Sequence, residues 1–135
     1  DNLVPKVFQA LEDGASPEIY GDDYPTPDGT CIRDYIHVSD LSNSHIAALE
    51  ALKKDRITET YNVGSGTGYS VREVIDEIER TIGRSTGAKV VARRAGDSPK
   101  LISNIDRIAK DLGWRPKLSL QDMVESAWRA WSART

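Results

Sequence analysis

The chain has one cysteine, Cys31, among 135 residues. No internal disulfide can form, and a reducing cytoplasm is the simplest expected compartment. Positive charge is not in excess: 18 Lys and Arg face 21 Asp and Glu, for a net charge of −3. A nucleic-acid partner normally needs a basic face, so none is expected. No apolar run is long enough to cross a bilayer, and no membrane partner is expected. No methionine opens the chain, and DNLVPKVF lacks the basic segment and apolar core of a signal peptide. The sequence begins inside what reads as a helix start, the appearance of an excised fragment.

Signature motifs are also scarce. Gly64-Ser-Gly66-Thr-Gly68 precedes a helical pattern, yet the third glycine of GxGxxG would fall at Tyr69. No Lys-Ser/Thr follows it, so a P-loop is excluded too; a tight turn is expected. His37 and His45 have no paired spacing and only one cysteine to join them, so no metal site is expected. No catalytic acid–base pair stands out.

What is present fits a soluble globular chain, one domain or part of one: 39% of residues are hydrophobic and 29% charged. Asp1 and Asn2 are good caps for a helix carrying Leu3, Val4, Val7, Phe8 and Leu11, stopped by Gly14. Glu18–Tyr20 reads as a strand. Asp22–Thr30 is a turn-rich loop with Pro25, Pro27 and Asp28-Gly29. Ile32–Val38 reads as a second strand with Ile32, Ile36 and Val38 on one side.

A helix is expected from Ser39, with Asp40 in its first turn and Leu41, Ile46, Leu49 and Leu52 as its core face. Thr60–Val63 is a strand candidate. Ser70-Val-Arg-Glu73 is a capping box before the stripe Val71, Val74, Ile75, Ile78, Ile82 and the stop at Gly83. Lys89–Ala92 reads as a strand and 93–99 as a polar loop. Ser103 or Asn104 caps a short helix with Ile105, Ile108 and Leu112 inside and Gly113 at its end. The last helix begins near Ser119; its Trp128 and Trp131 fall on the apolar stripe and are expected in core or interdomain packing. Alternating strands and helices make the class α/β.

The run IYGDDYPTPDGTCIRDYIHVSDL, Ile19 to Leu41, carries the densest signal. With NLVP at Asn2, YNVGSGTGYSVREV at Tyr61, RRAGD at Arg93 and LGWRPK at Leu112, it resembles the UDP-glucose 4-epimerases (UDP-galactose 4-epimerases) of the extended short-chain dehydrogenase/reductase superfamily. The matches run in family order over essentially the whole chain. The DYPTPDGT insertion favours the epimerase branch over related dehydratases and decarboxylases. The resemblance implies that residues 1–135 are a C-terminal UDP-sugar-binding portion. The NAD-binding Rossmann half would then lie outside, with its glycine fingerprint and the YxxxK tyrosine that removes the 4-hydroxyl proton. NAD, a UDP-glucose or UDP-galactose substrate, a 4-keto intermediate and a homodimer of the full-length protein are implied in the same way. So is the inactivity of the isolated fragment. Another nucleotide-sugar epimerase or dehydratase, or a non-catalytic nucleotide-sugar binding module, are the rival readings.

The resemblance also carries site residues. Arg33 matches a pyrophosphate-binding arginine, and a guanidinium fork suits a diphosphate; a structural ion pair with Asp34 or Asp40 is the plainer alternative. Arg94 matches a second phosphate arginine, against a solvated basic loop, while Arg93 beside it should point elsewhere. Asp97 matches the acceptor of the ribose hydroxyls, or else caps the Ser98-Pro99 turn. Asn2 and Leu3 match a pair at the mouth of the site, where a helix N-terminus favours an anion. Glu18, through its backbone, and Tyr20, through its ring, lie where the family surrounds uracil. Leu101 sits at a position that gates sugar size.

Overall fold

The computed structural model describes residues 2–55 and 58–134; Asp1 lies outside them. Among the described residues, five helices and five short strands follow one another: α1 (Leu3–Glu12), β1 (Glu18–Tyr20), β2 (Ile32–Arg33), α2 (Val38–Asp55), β3 (Tyr69–Ser70), α3 (Val71–Ile82), β4 (Lys89–Val91), β5 (Lys100–Leu101), α4 (Asp106–Leu112) and α5 (Leu120–Ser132). The class is α/β. β1 pairs in parallel with β4, and β2 is the centre of a second sheet, antiparallel to β3 and parallel to β5.

The best-formed helices carry their own punctuation. In α3 the Ser70 hydroxyl accepts from the Glu73 N–H at 3.0 Å, and the Glu73 carboxylate accepts from the Ser70 N–H at 2.7 Å. Two of the four orphan amides are thereby satisfied. Gly83 ends the helix at φ 72°, a conformation that costs a side-chain-bearing residue. Ser119 and Asp122 build the same box at α5, which the sequence reading missed although Ser-x-x-Asp spells it. The N-cap of α4 is Ile105, not Ser103 or Asn104, and it makes no side-chain capping bond; Asn104 accepts from the Asp106 N–H at 2.8 Å just before it.

The main core joins α1, α3 and α5. Val7 and Phe8 meet Val74, Ile75, Ile78 and Val124, with Ile19 of β1. Trp128 and Trp131 flank Phe8 at centroid distances of 5.2 and 5.6 Å. They are packing residues, as their stripe implied. A smaller cluster gathers Ile105, Ile108 and Trp114 against Ile36, Tyr61 and Val63.

Three further expectations fail. The strand expected over Ile32–Val38 stops at Arg33, because its partner β3 is two residues long: Gly68 turns the chain at φ 75° before it and α3 starts at once after it. Val38 instead opens α2. Thr60–Val63 forms no strand; Tyr61 and Val63 pack as irregular chain on the smaller cluster. The apolar stripe of α2 faces outward, with Ile46, Leu49 and Leu52 half exposed. The helix turns Asp40 and Ser44 inward instead. The Asp40 carboxylate accepts from the backbone N–H groups of Lys117 and Leu118 at 3.0 and 2.9 Å, which holds that inward face against the chain before α5.

Candidate functional site

A cleft of about 700 Å³ opens between the start of α1, the end of β1, β2 and the 93–97 loop. Asn2, Leu3, Glu18, Tyr20, Arg33, Arg94 and Asp97 all line it. Seven residues singled out in four separate stretches of sequence therefore meet on one surface. Leu101 does not join them. It lies 64% exposed on β5, beside a smaller depression of about 410 Å³ that it shares with Asp34, Asn62 and Arg33.

Arg33 is placed by register. It stands opposite Tyr69 on one side and Leu101 on the other. Its guanidinium donates to the Ser98 carbonyl at 2.7 Å, to its neighbour's carbonyl on Ile32 at 2.9 Å, and to Asp97 Oδ1 at 3.2 Å. The ion pair considered for it thus exists, but with Asp97 and not with Asp34 or Asp40. Both partners are part-exposed, at 27% and 34%, so the pair is screened and still offers free hydrogen-bonding edges to the cleft. A guanidinium donor and a carboxylate acceptor side by side can hold an anionic group and a hydroxyl pair at once.

Asp34 and Asp40 are structural. Asp34 takes the N–H and hydroxyl of Ser65 at 2.6 and 2.5 Å and the N–H of Ser103 at 2.9 Å. It ties the residue after Arg33 to the glycine turn and to the chain leaving β5. Burial pushes its carboxyl upward, but the Ser65 and Ser103 donors outweigh this and hold it below the usual carboxylate range. Sequence gave no signal for it, since its partners lie 31 and 69 residues away. Asp28 does the same for the loop: it binds the Thr30 N–H and hydroxyl at 2.8 Å and reaches Ser70 at the cap of α3.

The two neighbouring arginines diverge. The Arg94 guanidinium lies 3.5 Å over the Tyr20 ring in the cleft, whereas Arg93 lies 4.1 Å over Tyr24 and pairs with Asp23. Arg94 is an exposed loop residue whose guanidinium rests on the Tyr20 ring. Tyr20 also donates to its neighbour Glu18 at 2.5 Å, which orients the ring. Asn2 occupies the N-cap position of α1 with no side-chain capping bond, so its amide is not spent on the helix. Asp97 makes no bond to the Ser98-Pro99 turn; its partner is Arg33. Tyr35 and Val71 also line the cleft, and burial pushes the Tyr35 hydroxyl up to about 12, a neutral donor at pH 7.

The glycine turn is no nucleotide cradle. The amides of Ser65 and Gly66 point at Asp34, and a Cβ on Gly64 would lie 2.1 Å from its carboxylate. No room or free donor remains there for a pyrophosphate.

A family model described as GDP-mannose 4,6 dehydratase matches residues 2–127. A UDP-glucose 4-epimerase of Halalkalibacterium halodurans is 46% identical over 129 residues, covering 94% of this chain and 39% of the relative. A crystal structure of UDP-glucose-4-epimerase from Stenotrophomonas maltophila, with bound NAD and formylated UDP-arabinopyranose, superposes with a TM-score of 0.90 at 37% identity. It covers 100% of this chain and 41% of that one. One from Bifidobacterium longum, in complex with NAD+ and UDP, gives a TM-score of 0.85 at 37% identity over 99% and 40% of the two chains. The chain thus spans about two-fifths of the length of these proteins.

Proposed function

The chain belongs to the GDP-mannose 4,6 dehydratase family, and from that premise we propose that it is the UDP-sugar-binding portion of a UDP-glucose 4-epimerase. The protein would interconvert UDP-galactose and UDP-glucose in galactose metabolism, in the cytoplasm and as a homodimer. One observation carries the reading. Arg33, Arg94 and Asp97, two cations and an acceptor, line a single cleft together with Tyr20, and Arg33 and Asp97 stand 3.2 Å apart.

In this reading Arg33 and Arg94 hold the diphosphate, whose two charges a pair of guanidinium groups matches. Asp97 accepts from the ribose hydroxyls, and the Tyr20 ring and Glu18 backbone border the uracil. Asn2 and Leu3 present the N-terminus of α1, where the helix dipole and unpaired N–H groups favour an anion. Leu101, on the adjoining depression, borders the sugar and sets its permitted size.

NAD supplies hydride transfer in such a reaction. The residues of this chain do not fit it, since the glycine turn is closed on Asp34. NAD and the acid–base residues are assigned to the remainder of a longer protein, and this chain alone is assigned binding without turnover.

Calorimetric titration of UDP into the protein at its natural length tests the cleft. Arg33→Ala should weaken binding by about 2–3 kcal/mol, the scale of a lost charge-assisted bond in a part-buried site. Unchanged affinity would remove Arg33, and with it the diphosphate assignment. The loop Asp22–Thr30, which the resemblance ties to the epimerase branch, weighs against a different nucleotide-sugar enzyme on the same scaffold.

A further inference from the structure

Arg93 joins the first residues of the Asp22–Thr30 loop to the segment that carries Arg94. Arg93 follows β4 closely and reaches away from the cleft. Its guanidinium covers the Tyr24 ring at 4.1 Å and donates to both the carboxylate and the carbonyl of Asp23. Arg94, the next residue, reaches into the cleft over Tyr20. Successive side chains of an extended segment leave on opposite sides, so anchoring one sets the direction of the other.

The backbone is pared away where Arg93 crosses. Gly21 sits there at φ 86°, and a Cβ on it would come within 2.5 Å of Arg93 Cγ and 2.9 Å of the Tyr24 ring. The Gly21 N–H donates to the Val91 carbonyl at 2.9 Å, tying the residue just before the loop to the strand that precedes the arginines. The loop itself is held from its other end by Asp28 on Thr30 and Ser70. It is therefore a braced anchor rather than a free strap.

We propose that Arg93 is a positioning residue: by gripping Asp23 and Tyr24, which do not line the cleft, it holds Arg94 in place for a nucleoside diphosphate, so that these two loop residues contribute to diphosphate affinity without touching the ligand. The inference rests on reading the cleft as a UDP site. The ion pair alone carries little of the grip, because the Asp23 side chain is 73% exposed. The guanidinium contact over the Tyr24 ring and the forked donation to Asp23 carry the rest, and a lysine lacks the fork.

The test is a double-mutant cycle on UDP affinity, measured by calorimetry in the protein at its natural length. R93Q and R93K should each weaken UDP by about fivefold, the scale of one cation–π contact plus an exposed ion pair. In an R94A background the same changes should weaken it no further, because there is no second cation left to position. In an R33A background the fivefold factor should persist. If R93Q does not fold, D23N carries the same cycle with an expected loss of about twofold.

Wild-type affinity in R93Q, or an equal loss with and without Arg94, would overturn the proposal while leaving the cleft's assignment standing. A wild-type protein that binds no UDP would instead end the reading of the cleft, and this inference with it.

Discussion

Helices α2 and α3 look alike as sequences and behave oppositely in the fold. Each repeats branched apolar residues at helical spacing: Leu41, Leu49 and Leu52 in one, Val74, Ile75 and Ile78 in the other. In α3 that stripe is sealed, with Val74 and Ile78 at 0% exposure. In α2 Leu49 and Leu52 remain half exposed, and the inward face is Asp40 and Ser44. An apolar stripe states which face gains by leaving water; it does not state what lies across from it. For α3, the indole pair of α5 and Phe8 of α1 lie across. For α2, nothing among the described residues seals the stripe, and the inward face is fixed by a buried carboxylate with two backbone donors.

Substitutions can break that comparison. Ile78→Ala should cost the 135-residue chain about 3–4 kcal/mol in urea unfolding, the transfer and cavity cost of a sealed site. A loss below about 1 kcal/mol would mean that the α1–α3–α5 core is not formed as described. Asp40→Ala should cost about 2–3 kcal/mol, because the Lys117 and Leu118 N–H groups lose their acceptor. If it proves neutral, the orientation of α2 is set by something else.

Acid should expose the carboxylate hubs next. Burial raises Asp28 and Asp34, but their hydroxyl and backbone donors prevail and both sit below the ordinary value. A carboxyl whose folded value is depressed adds stability that is fully present above the unfolded value of about 3.9 and is lost as pH falls through the folded one. Stability should therefore decline below about pH 4, and Asp34→Asn should flatten that decline. An unaltered acid limb in the variant would show that Asp34 is not among its causes. The smallest effect belongs to α2: Leu49→Ala should shift stability by less than about 0.5 kcal/mol in this chain. A cost near that of Ile78→Ala, measured in the protein at its natural length, would show the stripe covered there.

How far the sequence could be read follows from the range of each interaction. Helix ends were legible because a cap or a glycine stop acts within four residues: the Ser70–Glu73 box and Gly83 fall where the pattern puts them. The main core followed from the spacing in α1, α3 and α5. Strand ends were not legible, since β2 is as long as β3 and β5 allow and no residue within 34–38 announces that. Residues for the cleft came from likeness to a family, and no spacing would have gathered Asn2, Tyr20, Arg33 and Arg94. The missed groups, Asp28 and Asp34, are ordinary loop aspartates until their partners are seen. Leu101 was grouped with the others and lies next door.

Local chemistry thus determined by itself that this chain makes capped, amphipathic helices with turns at defined glycines, because those energies are settled between neighbours. Tertiary structure alone decided which stripe is sealed, that Arg33 finds Asp97 across 64 residues, and that two adjacent arginines serve two different rings. Those outcomes depend on distances between segments remote in the chain, and no local preference encodes them.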